Sequence, residues 1–316
     1  MPLVSVVIPT YKRPHLLRVA LRSVRDQTFK DKEVVVHDDA SSDDVAAVVA
    51  EFPELAIRFY RNERTMGQTT NITAAMRRAT GKYLALLGDD DYWKPDFLAH
   101  MVKGLEENPE CILAFSNYEI IDKTGAILPI TRKIQRYHGN HLLAPGYHGP
   151  FEHIATIFRA ISVISGCLLR RDTTDWTDIP ADLSIGVDTY IGFLAARIGG
   201  LCYFDAEPLI QIRYHAGTVT WTGRTDLREV TRKHEAFVVL WECVLKDPAM
   251  RYKRYYLMKR WWYAWALVVD HLRLREWQAA VRPLSALRNY DFRMPIYFVG
   301  YLLYFKLMGL DRRFLP

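Results

Sequence analysis

The sequence is poor in cysteine and has no long apolar run. Its four cysteines include no close pair with the spacing of a metal site, so we expect buried thiols and neither a zinc cluster nor a disulfide framework. No stretch reaches the ~18 consecutive apolar residues of a membrane-spanning helix. The opening residues lack the basic and apolar regions of a secretory signal. We therefore expect a cytoplasmic protein, or one held on the cytoplasmic face of a membrane.

Charge is distributed unevenly along the 316 residues. Half of the residues are apolar and a quarter are charged, which is typical of a globular protein. The net charge is +6, but residues 251–316 alone carry 13 Lys or Arg and four Asp or Glu, a net charge of +9. Residues 1–250 are therefore slightly acidic, and the basic, aromatic C-terminal segment suggests an anionic partner.

Short apolar runs alternate with helical patterns over the first 90 residues. The runs predict strands at 3–9, 32–37, 57–61 and 83–87. The periodicity between them predicts helices at 15–26, 43–51 and 70–79. This alternation indicates an α/β fold with a mostly parallel sheet. Beyond it we predict a helix at 96–108, a strand at 111–117, a long loop at 122–152, and helices at 187–198, 229–245 and 252–281.

Three of the four early strands end in residues suited to ligand binding: Pro9-Thr10-Tyr11, Asp38-Asp39 and Asp89-Asp90-Asp91. Ligands of open α/β sheets bind at the carboxyl ends of the strands, so these groups converge if the strands are neighbours. Three adjacent carboxylates repel one another, and a divalent cation bound to a nucleotide diphosphate would compensate them. The alternative is a solvated acidic turn, since aspartates are common in turns.

These segments resemble the inverting family 2 glycosyltransferases of the GT-A fold. The resemblance covers residues 3–97 and rests on three motifs in order: strand–PTY, strand–DDASSD and ATGKYLALLGDDDYWKPDFL. It implies a Rossmann-like, mostly parallel sheet flanked by helices, a nucleotide-sugar donor, and Mn²⁺ or Mg²⁺ as cofactor. We expect a catalytic domain at 1–225, with a nucleotide-sugar half at 1–117 and an acceptor half at 118–225. A helical, basic-aromatic region follows at 226–316.

The resemblance also assigns roles to individual residues. It implies that Asp89 faces the ribose and diphosphate and that Asp90 binds the metal, with Asp91 and His215 as further ligands. From its type alone, His215 could equally be an ordinary polar contact. The expected nucleotide-sugar contacts are Pro9, Thr10, Tyr11, Arg13, Asp39, Gly67, Asn71, Asp89 and Asp90. The chain departs from the family at Gly88, where many members have Asp, and at Thr70, where Arg is common.

Sugar transfer needs a further carboxylate on the acceptor side. An acceptor hydroxyl must lose its proton as it attacks the anomeric carbon. The segment GVDTYIGFLAARIGG resembles the family's acceptor-side helix, which implies that Asp188 is the general base of a single inverting displacement. The alternative is that Asp188 only caps the helix. The rival acids are Glu152, Asp172, Asp175, Asp178 and Asp182.

Two other functions fit parts of the pattern. Nucleotidyltransferases also use acidic metal sites on parallel sheets, but they usually carry a glycine-rich loop after the first strand, and PTYKRPH has no glycine. A non-catalytic nucleotide-sugar or glycan-binding module would need no base at Asp188. For a transferase, the resemblance implies a UDP- or dTDP-sugar as donor. The acceptor stays open among a lipid-linked glycan, a polysaccharide and a small molecule.

The segment 251–316 holds 16 of the 40 aromatic residues. Its apolar runs at 261–269 and 296–305 are flanked by basic residues and are too short to span a bilayer. Such segments lie in the headgroup region of anionic membranes, which would bring the enzyme to a lipid-linked acceptor. The alternative is packing on the catalytic domain or an oligomer interface. No nucleic-acid-binding module is recognisable, so we expect no nucleic acid partner.

Overall fold

The fold is built around one mixed β-sheet. The computed structural model describes residues 2–42, 44–173, 175–176, 178–214 and 226–283. Within them the strands are β1 (Val4–Thr10), β2 (Lys32–Asp38), β3 (Arg58–Arg61), β4 (Tyr83–Leu86), β5 (Tyr92–Trp93), β6 (Cys111–Ile121), β7 (Gly146–His148), β8 (Cys167–Arg170) and β9 (Leu201–Arg213). Their order is β3-β2-β1-β4-β8-β6-β9-β5, and β7 pairs with β9.

Helices cover the sheet and form the end of the described chain. They are α1 (Pro14–Arg25), α2 (Asp44–Ala50), α3 (Gln68–Met76), α4 (Phe97–Glu106), α5 (Ile130–Tyr137), α6 (Val163–Gly166), α7 (Val187–Arg197), α8 (Leu227–Lys246), α9 (Lys253–Arg273) and α10 (Trp277–Val281). A π-helical turn spans Ile154–Phe158. Among the described residues, no helix combines the length and apolar content needed to cross a bilayer.

Strand direction divides the sheet into two parts. β3, β2, β1 and β4 are parallel, and Val7 of β1 pairs with Val35 and Leu86 of its neighbours. β8 is antiparallel to both β4 and β6. β9 is parallel to β6 and antiparallel to β5 and β7. The predicted α/β fold, a central sheet flanked by helices, is confirmed, and the continuous parallel part of the sheet consists of β1 to β4.

Both faces of the sheet are buried, which explains the nearly continuous apolar strands. Side chains alternate along each strand, so Val6 and Val36 contribute to one core together with α1, α2 and α4. Val7 and Val35 contribute to the other core together with α3, α7, α8 and α9. The sheet therefore forms the middle of three layers, with helices on each side. The C-terminal ends of the parallel strands β1 to β4 lie at one edge of the sheet.

The segment 122–152 is more regular than the predicted loop, and that prediction was wrong. It contains α5, which buries only Thr131 and Ile134 and is too short to show a clear period. It also contains β7, whose pairing of Tyr147 with Tyr203 depends on a strand distant in sequence. The predicted helix at 252–281 is likewise two helices, because Arg275 adopts a positive φ between α9 and α10.

A buried carboxylate just before the π-helical turn anchors α9 to the rest of the protein. Glu152 is 0% exposed and accepts hydrogen bonds from the Tyr256 hydroxyl at 2.5 Å and the Arg251 backbone N–H at 3.0 Å. Trp241 of α8 stacks on Tyr256 with ring centroids 5.4 Å apart. The apolar run at 261–269 therefore belongs to a helix that packs on the protein. The run at 296–305 lies outside the described residues.

Candidate active site

The ends of β1, β2 and β4 meet at one edge of the sheet. The three strands are neighbours, as the convergence of their polar ends requires. The Thr10 carbonyl accepts a hydrogen bond from the Asp39 N–H at 3.0 Å. The Thr10 hydroxyl donates to Asp89 Oδ2 at 2.7 Å, and the Tyr11 N–H lies 3.4 Å from the same oxygen. The three motifs of the sequence thus form one continuous site.

Asp89 and Asp90 share one arginine. Nη1 of Arg13 lies 3.0 Å from Asp90 Oδ2 and 3.4 Å from Asp89 Oδ1. Arg13 precedes α1, so the loop after β1 carries this positive charge to the end of β4. Asp89 is buried, whereas the Asp90 side chain is 16% exposed and is the more accessible of the two. Asp90 is therefore the better placed to meet an incoming ligand.

Asp91 has a different environment. Its Oδ2 accepts a hydrogen bond from the Ser165 hydroxyl at 2.7 Å, and its Oδ1 accepts one from the Arg213 backbone N–H at 2.9 Å. It is only 8% exposed. Because both oxygens are engaged, these contacts favour a structural role, joining the end of β9 to the turn before β8. The predicted role of Asp91 as a metal ligand stays a prediction.

Burial and the neighbouring charge of Asp90 raise the pKa of two carboxyls in the acidic cluster. Burial and the neighbouring Asp90 raise the pKa of Asp89 to about 6, against the opposing effect of Arg13. Burial and Asp90 likewise raise the pKa of Asp91 to about 8. Mg²⁺ and Mn²⁺ prefer carboxylate oxygen ligands and often bind through one or two of them plus substrate phosphates. The chemistry of Asp89 and Asp90 therefore fits such a cation.

These raised pKa values predict a pH-dependent stability of the metal-free protein. An aspartate with a raised pKa holds its proton more tightly when folded than when unfolded. Its contribution to stability is present at low pH and is lost as the pH rises through the folded pKa, about 8 for Asp91. We expect Asp91→Asn, measured against wild type in EDTA, to gain relative stability as the pH rises from about 5 to about 8.

Thermal unfolding across this pH range tests the expectation. Asp96, an exposed acid at the start of α4, supplies the control Asp96→Asn. The difference in Tm between Asp91→Asn and wild type should increase with pH, while that of the control should stay constant. A difference that does not change with pH for Asp91→Asn would contradict the raised pKa of the Asp91 carboxyl.

Gly88 explains how the acidic turn closes. A Cβ at this position would lie 3.2 Å from Asp90 Oδ1, Asp91 Oδ2 and Ser165 Oγ. The Gly88 N–H donates to Ser165 Oγ at 2.9 Å. The missing side chain therefore lets both carboxylates and the serine approach the backbone closely, and the acidic element of this chain begins at Asp89.

Asp39 shapes the loop before α3. Its carboxylate accepts hydrogen bonds from the Asn62 amide at 2.8 Å and from the N–H groups of Met66 at 2.8 Å and Gly67 at 2.9 Å. Gly67 has φ +88°, which side chains rarely adopt. The predicted nucleotide contacts at these residues stay predictions, and the observed role of Asp39 is to hold this loop. Tyr11 beside it is 41% exposed, and the Lys12 ammonium lies 4.9 Å from the centroid of its ring.

Asn71 lies beneath the same edge rather than on it. Its amide donates to the His37 carbonyl at 3.1 Å, and its Oδ1 lies 2.8 Å from His37 Nδ1. It is 3% exposed, and Pro9 pairs with His37 across the two strands. The contacts of Asn71 are thus with the backbone and side chains that hold α3 to β1 and β2.

Asp188 lies next to the acidic cluster. It is in the first turn of α7, whose N-cap is Gly186, and its Oδ1 accepts a hydrogen bond from the Ile164 N–H at 2.7 Å. Ile164 is followed directly by Ser165, which bonds Asp91. One turn therefore connects the predicted base to the predicted donor site. The rival Glu152 is fully buried in the α9 anchor instead.

Sequence reasoning missed Ser165 and Arg213. Ser165 is 0% exposed with φ +75°, and no local pattern marks it. Arg213 is the last residue of β9, and its Nε donates to the Asp90 carbonyl at 3.3 Å. The strand-end rule that located the aspartates could have located this arginine as well. His215, two residues later, lies outside the described residues.

Comparison with known proteins decides the family. The family model described as Glycosyl transferase family 2 matches residues 5–163, which include the ends of β1, β2 and β4. The chain belongs to glycosyltransferase family 2. It is therefore a glycosyltransferase, and neither a nucleotidyltransferase nor a non-catalytic binding module.

Two curated relatives cover different shares of this glycosyltransferase. An uncharacterized glycosyltransferase of Rickettsia prowazekii is 28% identical over 235 residues, covering 72% of this chain and 69% of the relative. An Escherichia coli protein named UDP-Glc:alpha-D-GlcNAc-diphosphoundecaprenol beta-1,3-glucosyltransferase is 31% identical over 125 residues, covering 40% of this chain and 49% of the relative. The first relative is named a glycosyltransferase and the second a glucosyltransferase.

Solved structures share the fold. Staphylococcus aureus TarS 1-349 in complex with UDP-GlcNAc has a TM-score of 0.62 at 15% identity, covering 98% of this chain and 82% of TarS 1-349. A mannosyltransferase of Pyrobaculum calidifontis in complex with GDP-Man and Mn²⁺ has a TM-score of 0.58 at 17% identity, covering 98% of this chain and 84% of the other. Structures with this fold thus include a nucleotide-sugar complex with Mn²⁺.

Proposed function

We propose that this glycosyltransferase moves a sugar, with inversion, from a UDP- or dTDP-sugar to a hydroxyl of a lipid-linked acceptor. The observation that carries the proposal is the turn at Ile164–Ser165, which bonds Asp188 on one side and Asp91 on the other. One turn therefore joins the candidate base to the acidic element that carries the candidate diphosphate site. The name of the Escherichia coli relative supports the choice of a lipid-linked acceptor.

The proposed donor site includes a divalent cation held by Asp90, with Asp89 beside it. A bound Mg²⁺ or Mn²⁺ would neutralise the negative charge that develops on the leaving diphosphate. Arg13, which bonds both aspartates, lies where it can contact a phosphate as well. Tyr11 is exposed and can stack on the nucleotide base.

Asp188 would supply the proton acceptor on the other side of the sugar. Its carboxylate takes the proton of the acceptor hydroxyl as the new C–O bond forms and the bond to the diphosphate oxygen breaks. Attack on the face opposite the leaving group inverts the anomeric configuration. The bond from the Ile164 N–H orients this carboxylate, so the base is held in place before the acceptor arrives.

A donor panel tests this function directly. A ligand that binds only the folded protein raises its stability by RT ln(1 + [L]/Kd), so donors can be ranked by thermal shift. We expect UDP- or dTDP-sugars to raise Tm with Mn²⁺ or Mg²⁺ present and to lose most of that effect in EDTA. Stabilisation by guanosine or cytidine diphosphate sugars alone would contradict the donor assignment. Product formation from the best donor then identifies the transferred sugar.

We also propose that the basic segment 251–316 holds the enzyme on the cytoplasmic face of an anionic membrane. Trp265 is 48% exposed and Trp277 is 66% exposed on the described helices. Each basic residue near an anionic surface contributes ~1 kcal/mol of binding. Flotation with anionic liposomes should recover the protein at low salt, and neutral liposomes should not.

The flotation experiment needs a truncated control that keeps the packed helices and lacks part of the basic segment. Removing everything after Met250 would take away Tyr256 and expose the core around Glu152. Ending the chain after Pro283 keeps α8–α10 and removes five basic residues, at positions 288, 293, 306, 312 and 313. This shorter chain should fold and float less well. If the protein is recovered equally with and without anionic lipid, membrane binding is contradicted. Packing of the helices on the protein would then account for the aromatic residues of segment 251–316.

A further inference from the structure

A basic surface lies beside the acidic cluster, in the segment between β6 and β7. Between Asp122 and Glu152 the chain contains no other Asp or Glu. The same stretch contains four Lys or Arg residues, so it carries a net positive charge of its own. These basic residues are Lys123 before α5 and Arg132, Lys133 and Arg136 on α5.

The helix α5 directs two arginines outward. Its buried residues are Thr131 and Ile134, which pack on the sheet side. Arg132 and Arg136 are exposed, and because they lie four residues apart they share one face of the helix. Among the described residues, neither arginine forms an ion pair. Two positive charges therefore project from the same helix face without a carboxylate bound to either.

Exposed apolar side chains accompany this helix along the chain. Ile127, just before α5, is 55% exposed, and Leu142, soon after it, is 37% exposed. Basic and apolar side chains exposed together are typical of surfaces that lie in the headgroup region of a bilayer. A soluble phosphate would leave the apolar side chains in water. The composition therefore favours a lipid surface over a soluble anion as the partner.

The loop before α5 is bonded to the acidic turn. The Arg213 guanidinium donates from Nη1 to the Lys123 carbonyl at 3.2 Å and from Nε to the Asp90 carbonyl at 3.3 Å. α5 is held on β6, since the Thr131 hydroxyl accepts a hydrogen bond from the Ile120 N–H at 2.9 Å. β6 and β4 are both antiparallel to β8, so their carboxyl ends lie at the same edge of the sheet. The basic surface therefore lies at the edge that carries the acidic cluster.

We propose that the α5 surface, formed by Lys123, Ile127, Arg132, Arg136 and Leu142, docks on an anionic lipid bilayer and holds this edge of the sheet against it. The contact is separate from that of the C-terminal segment, and it rests on the proposed function, in which the acceptor is linked to a lipid. The arginines would bind lipid phosphates, and the apolar side chains would enter the headgroup region. Docking here brings a membrane-borne hydroxyl toward the acidic cluster.

Binding of the full-length protein to vesicles tests the proposal without relying on catalysis. The vesicles contain phosphatidylcholine alone or phosphatidylcholine with phosphatidylglycerol, and the bound fraction is measured by sedimentation at low salt. We expect Arg132→Gln/Arg136→Gln to weaken binding to the anionic vesicles by about ten-fold or more, because each basic residue at an anionic surface adds to the affinity. Arg132→Lys/Arg136→Lys keeps both charges and should bind nearly as well as wild type.

Arg22→Gln/Arg25→Gln is the matched control, because it removes the same charge from exposed positions in the last turn of α1. α1 runs back from the end of β1 toward the start of β2, so this turn lies at the opposite edge of the sheet. The control should bind anionic vesicles like wild type. An equal loss of binding in both double variants would assign the effect to net charge and overturn the proposal.

Two other results would also contradict docking through α5. Wild-type binding by Arg132→Gln/Arg136→Gln would show that α5 does not reach the bilayer, and would leave the C-terminal contact standing. If the same variant instead loses affinity for inorganic pyrophosphate in EDTA while vesicle binding is unchanged, the arginines belong to a soluble phosphate. Circular dichroism checks the fold of each variant. Absence of sugar transfer by the wild-type protein would sink the proposed function while leaving these binding results intact.

Discussion

Asp90→Asn is expected to reduce sugar transfer by at least about 10²-fold and to remove the metal-dependent stabilisation by the donor nucleotide. The substitution keeps the size of the side chain and its ability to accept a hydrogen bond from Arg13. It removes the negative charge that would bind the cation. Because Asp90 is the most accessible of the three aspartates, its loss should change ligand binding much more than folding.

Two neighbouring substitutions serve as comparisons for Asp90→Asn. Asp91→Asn changes a carboxylate whose oxygens are engaged by Ser165 and Arg213, so we expect it to alter stability more than metal-dependent binding. Asp96→Asn, at an exposed position, should behave like wild type in both assays. Full activity of the wild-type enzyme in excess EDTA would rule out the metal-dependent mechanism.

Asp188→Asn is expected to lower turnover by ~10²–10⁴-fold while donor binding persists. Asparagine can still accept the hydrogen bond from the Ile164 N–H, so the turn that connects to Asp91 should be kept. It cannot accept the proton of the acceptor hydroxyl. The loss should therefore fall on kcat, with the donor-induced thermal shift close to that of wild type.

Asp182→Asn is the matched control for the base, since Asp182 is an exposed acid in the turn that precedes α7. We expect it to retain wild-type turnover. Near wild-type turnover of Asp188→Asn would place the base on another residue. The anomeric configuration of the product, read by NMR, is a separate check, because retention is incompatible with a single displacement.

The strands and helices of the first 100 residues were predictable because their signals are local. β-branched runs such as 32–37 become β2, and the helical pattern at 15–26 becomes α1 within one residue at each end. The loop predicted at 122–152 shows the limit of this approach. α5 buries too few residues to leave a period, and β7 exists only through its pairing with β9.

The aspartates of the site were found in the sequence because each follows an apolar strand. The hydrogen-bond partners of these aspartates were not predicted, because the partners lie far from them in the sequence. Thr10 bonds Asp89 from 79 residues away, Ser165 bonds Asp91 from 74 residues away, and Arg213 reaches Asp91 across 122 residues. No spacing rule covers such separations.

The sequence alone determined the α/β class and the order of the strand-end motifs, which depend on local periodicity and on which residue follows each strand. Its resemblance to family 2 implied the candidate base, Asp188. Only the tertiary structure decided that Asp91 is engaged by Ser165 and Arg213 while Asp90 stays accessible. It also decided that α9 packs through Tyr256 on Glu152. Burial and the pairing of distant groups set these outcomes, and neither can be read from one segment of the chain.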